Sequence, residues 1–67
     1  MLKYKIKVKH LDDAPLLEPY FYGYYPSEYG CRDSAVELSK LGYKVDCYEQ
    51  GKNGMFFLFK EYKARVN

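Results

Sequence analysis

His10 is the only histidine in the chain, and two carboxylates, Asp12 and Asp13, follow it within three residues. Such a group could supply a histidine general base oriented by an aspartate. The plainer reading is a histidine that ends an exposed strand. A thiol nucleophile paired with His10 would have to be Cys31 or Cys47, and nothing in the spacing favours either. The two cysteines form no C-x-x-C pair, and structural zinc normally takes its ligands as closely set pairs. The expectation is therefore no catalytic residue, no metal and no cofactor. Both cysteines are read as reduced and structural, with one Cys31–Cys47 disulfide as the alternative.

Two other groupings point to binding. Lys3, Lys5, Lys7 and Lys9 alternate with apolar residues and, on a strand, project from one face at intervals of about 6.6 Å. That spacing is near the phosphate repeat of a nucleic-acid strand, and tyrosines could stack its bases. The same lysines would also keep a strand soluble and protect an edge from aggregation. Tyr4 falls on the face opposite the lysines, which weakens the stacking reading. The second grouping is aromatic: residues 20–29 hold six aromatic side chains, including five of the nine tyrosines. Tyrosine offers large, fairly rigid, amphipathic contact area and is enriched in interface anchors. Six aromatics exceed what one short strand can bury against one helix. The expectation is Phe21 turned inward and Tyr22, Tyr24 and Tyr25 outward, although tyrosine must also stand in for core residues in this chain.

The elements that position these groups follow from periodicity. Residues 2–10 (LKYKIKVKH) alternate without error, which marks a half-buried strand. Residues 11–19 carry two prolines and the acids Asp12, Asp13 and Glu18, and read as a connector that leaves Leu11, Leu16 and Leu17 to cover the core or a partner. Residues 20–22 read as a short second strand that pairs with the first and is ended by Gly23 and Pro26, or as an aromatic loop. A helix follows. Ser27 and Ser34 are both candidate N-caps, the second as an S-x-x-E capping box, and the apolar spacing of Cys31, Ala35, Leu38 and Leu41 favours the longer helix. Gly42 suits a left-handed C-terminal cap. Residues 43–49 alternate as a strand, 50–54 form a glycine-containing hairpin loop, and 55–62 form a last strand. Because residues 56–59 are apolar on both faces, this last strand is expected to be internal or covered on two sides. Residues 64–67 are expected to fray.

The sum is an α+β domain: one helix packed on a small, largely antiparallel sheet of three to four strands, β-(β)-α-β-β. At 67 residues it is a single domain, too short for a dinucleotide fold or a TIM barrel. Leu, Ile, Val and Phe make up only 16 residues, so phenols must join the core. The net charge of +2 is modest for a dedicated nucleic-acid binder, but its distribution is uneven: +4 over residues 1–10 and −3 over 11–20. No apolar run is long enough for a signal peptide or a membrane span. The functional expectation is a small, non-catalytic, cytoplasmic protein of inhibitor, adaptor or accessory type, of the kind also encoded by phages and mobile elements. It would contact another protein through Tyr20, Tyr22, Tyr24, Tyr25, Asp12, Asp13 and Glu18. The alternative is a nucleic-acid-binding module using Lys3, Lys5, Lys7 and Lys9. A homodimer through an open strand edge is a third possibility.

Overall fold

The structure, a computed structural model, describes residues 2–10 and 18–65. Four strands and one helix follow in the order β1 (Tyr4–His10), β2 (Tyr20–Tyr25), α1 (Glu28–Lys40), β3 (Tyr43–Gln50) and β4 (Phe56–Tyr62). All pairings are antiparallel and the spatial order is β2-β1-β3-β4. The chain is thus an α+β domain of the expected class, with four strands. Helix α1 carries the chain from β2 to β3 across β1, which lies between them.

Strand β1 fulfils its alternation: Ile6 and Val8 are buried under the helix, and the lysines take the other face. Strand β2 runs through Gly23 instead of ending there. Its register slips between Ile6, which faces Gly23, and Lys7, which faces Phe21, so Tyr22 is the extra residue of a bulge. The slip resets the alternation. Tyr25 faces Tyr4 and packs against the core, whereas Phe21 faces Lys7 on the other side of the sheet and is half exposed. The expected directions of Phe21 and Tyr25 are therefore reversed.

Strand β4 is an edge, not the internal strand that its apolar run suggests. A second slip, at Cys47/Tyr48, accompanies Phe59 onto the helix side, where it meets Tyr4 edge-on at 6.0 Å and lies under the Arg32 guanidinium. Phe56 goes to the opposite side and packs against Tyr24 and Lys5 there. Both faces of β4 are apolar because each carries its own aromatic cluster.

Helix α1 begins at Ser27, whose extended backbone and hydroxyl oxygen, accepting from the Gly30 N–H at 3.2 Å, make it the N-cap. Ser34 lies inside the helix. Glu28 sits in the first turn, where the helix dipole favours negative charge, and pairs with Arg32 one turn on. At the other end Gly42 adopts φ +98°, and its N–H donates to the Ser39 carbonyl. Leu41, expected on the apolar face, is the C-cap residue and is exposed. The Arg65 N–H also donates to Ser39, which ties the chain after β4 to the helix end. That bond opposes the fraying expected at residues 64 and 65.

The core is small. Ile6, Val8, Val45 and Cys47 from the sheet meet Cys31, Ala35 and Leu38 from the helix. Tyr4, Tyr25, Tyr43, Phe59 and Tyr62 pack around them, so four tyrosines complete a core short of aliphatic residues.

Candidate binding surface

The side of the sheet away from α1 carries no described helix or strand. On it the register sets Lys5 between Tyr24 of β2 and Tyr48 of β3, and Lys7 between Phe21 and Asp46. These are the odd positions of β1, whose even positions hold the core, so one alternation builds both faces. The side chains converge. Phe21 and Tyr24 lie 4.8 Å apart by ring centroid, and Tyr24 reaches Phe56 of the far edge strand at 5.9 Å. Rings from the two edges thus meet over the central strands. The Lys5 ammonium sits 4.4 Å from the Phe56 ring centre and 5.4 Å from that of Tyr48, and Lys7 approaches Tyr48 at 5.6 Å. Such cation–π contacts are worth about 0.5–1 kcal/mol each at exposed sites, so they are easily exchanged for stronger partners.

Charge is graded along this face. At one end Lys44 donates to Asp46 at 2.8 Å, and Asp46 faces Glu61 across the β3–β4 ladder. The hydrogen bond to Asp46 holds Lys44 above its ordinary lysine range, so Lys44 keeps its proton at neutral pH. Burial, reinforced by the Asp46 carboxylate, raises the Tyr48 phenol and keeps it neutral. At the other end the Gln50 N–H donates to the Lys3 carbonyl. A cavity of about 360 Å³ opens there, lined by Lys3, Gln50, Gly51, Lys52 and Gly54. The hairpin that shapes it is held by Gly51 N–H to the Met55 carbonyl, by the Gln50 amide to the Gly54 carbonyl, and by Gly54 at φ +82°. Its lining includes two lysines and no carboxylate, nucleophile or general base.

The residues singled out from sequence divide into three sets. Tyr20, Tyr22 and Tyr24 are each about half exposed on the β2 edge strand, and Glu18 is exposed just before it. Tyr25 belongs to the core rim, and Asp12 and Asp13 lie outside the described residues. The lysine row joins Phe21, Tyr24, Tyr48 and Phe56 on one face, which removes the objection drawn from Tyr4. Tyr48 and Phe56 were not selected in the sequence. Parity could have found Tyr48, because it alternates with the buried Val45 and Cys47 and so shares the lysine side once the strands pair.

The candidate chemical groups have other partners. His10 meets the Tyr43 ring edge-on at 5.1 Å. Cys31 and Cys47 are free, buried thiols that come together between helix and sheet, near enough to perturb each other, a proximity that their spacing did not reveal. Burial, with Cys31 adjacent, pushes the Cys47 thiol up to about 12, and burial also raises Cys31. Neither is a thiolate at neutral pH, the form a nucleophile or metal ligand requires. Among the described residues no group of three His, Cys, Asp or Glu is placed to hold a metal ion, and no helix is long and apolar enough to cross a membrane. No family model, curated protein or solved structure matches the chain.

Proposed function

We propose that this chain is a small non-catalytic binding protein and that its contact surface is the sheet face opposite α1. One observation carries the reading: Phe21, Tyr24 and Phe56 cluster with Lys5 on a face where no described element packs, and two of those rings remain half exposed. Exposed aromatics in contact with one another mark contact surfaces more often than they mark chance exposure. The protonated, buried thiols and the engaged ring of His10 support a role without chemistry. Two free cysteines fit a reducing compartment such as the cytoplasm.

Two partner classes remain in the reading. A protein partner would use Tyr20, Tyr22 and Tyr24 on the β2 edge, and it is the class that the tyrosine-rich segment suggests. A nucleic acid would use the lysine row together with the aromatics that share its face, which is the specific observation in its favour. Affinity capture from the native host with wild type and with Phe21→Ser/Tyr24→Ser, followed by protein mass spectrometry and nucleic-acid sequencing, tests the common claim. A species lost at least tenfold with the variant, while circular dichroism shows both chains folded, is the expected result. Identical recovery by both chains removes the face from the argument.

A further inference from the structure

Resting on that reading, we infer that the macromolecule held by this face is a single-stranded nucleic acid. Its phosphates lie at the Lys3/Lys52 cavity and along Lys5, and its bases lie on the Phe21–Tyr24–Phe56 rings. The charge gradient selects the end of the sheet. Asp46 and Glu61 at the far end stand among Lys7, Lys9 and Lys44, whereas Lys3 and Lys52 line the cavity and Lys5 lies on the Phe56 ring, with no carboxylate in the cavity lining. A polyanion is the complement of that end, and an aromatic platform beside it adds contacts that an acidic peptide backbone would not use.

Geometry selects the single strand over the duplex. Four strands spaced by about 4.8 Å span about 14 Å between the outer backbones, wider than the roughly 12 Å major groove. Half-exposed rings lying over a sheet can be reached only by bases free of their own stack. The free protein is also prepared for exchange. Lys5 rests on the Phe56 and Tyr48 rings; drawn onto a phosphate, it uncovers those ring faces for bases. One move of one side chain creates both the ion pair and the stacking surface.

Fluorescence anisotropy of labelled (dT)20, titrated with the whole chain from 20 mM salt upward, tests the proposal. Three lysines displacing counterions from a single strand give a log–log salt slope of about −2. A 20-base-pair duplex should bind at least tenfold more weakly. Lys3→Gln/Lys52→Gln should flatten the slope by about 1.4. Phe21→Ala/Tyr24→Ala should weaken binding at least tenfold and leave the slope unchanged. Both variants are checked for fold by circular dichroism, and the lysine pair keeps the test decisive if the aromatic pair unfolds. Absence of (dT)20 binding at 20 mM salt overturns the inference. If capture then still shows a protein lost with the face variant, the binding-surface reading stands with a protein partner; if it shows nothing, both fall. Equal binding of (dT)20, duplex and poly-glutamate, unaffected by the aromatic substitutions, also overturns it.

Discussion

Replacing Ile6 by alanine should unfold this protein at room temperature. Ile6 is fully buried at the middle of the central strand, opposite Gly23 on one side and Cys47 on the other. The substitution deletes three carbons, a transfer loss of about 2.4 kcal/mol at about 0.8 kcal/mol each. The space left cannot close readily. Gly23 has no side chain to move in, Ala35 of the same core cluster is small, and the surrounding backbone is held by two strand ladders. The cavity therefore adds to the cost, and the total comes to about 3–4 kcal/mol, within the range of buried aliphatic-to-alanine changes. A single core in a chain of this length supplies about 3–5 kcal/mol in all. Urea titration followed by far-UV circular dichroism, with amide NMR spectra in water, measures the effect. Ile6→Ala should show collapsed amide dispersion and no native baseline, while Ile6→Val, costing about 1 kcal/mol, keeps a cooperative transition. A cooperative Ile6→Ala melt with a loss under about 1 kcal/mol would refute the idea that this cluster holds the fold.

Stability should fall between about pH 9 and 12. Cys47, raised from 9.0 to about 12, keeps its proton in the folded chain after the unfolded chain has released it, so folding loses ground as pH rises through that window. Cys31, Tyr48 and Lys44 are raised as well and act in the same direction. Melting temperatures across this range should decline less steeply for Cys47→Ala than for wild type. Ser27→Ala removes the acceptor for the Gly30 N–H and should cost about 1 kcal/mol, or about 4–8 °C in Tm. Gly42→Ala should cost about 1–2 kcal/mol because φ +98° crowds a Cβ. The apolar edge of β4, with Phe57 and Leu58 half exposed, should give concentration-dependent association in sedimentation runs that Leu58→Lys abolishes.

Local patterns carried most of the fold. The unbroken alternation around Ile6 and Val8 identified β1, and Ser27 and Gly42 bracketed the helix because capping chemistry acts within a turn. What escaped depends on pairing across the chain. The slips beside Ile6 and at Cys47/Tyr48 arise where two strands fail to match residue for residue, and neither strand alone records them. They decide that Tyr25 is core, that Phe21 is surface and that Phe59 turns to the helix. The proposed binding surface was legible by halves: the lysine row in one segment, the tyrosines in another. Only the order β2-β1-β3-β4 brings Tyr24 and Phe56 from opposite edges onto Lys5.

The central place of β1 also bears on how the chain is made. Its partner β2 follows after a short connector, but β3 is completed only at residue 50, 40 residues beyond the end of β1. At translation rates of about 5–20 residues per second, that delay is roughly 2–8 seconds. A hairpin forms in microseconds, so β1 and β2 can pair long before β3 arrives to take the other edge of β1. During that interval an apolar strand with an open edge is exposed to other nascent chains. Lysines interleaved with Tyr4, Ile6 and Val8 are suitable gatekeepers for it, repelling like strands until the helix and β3 close over the apolar side.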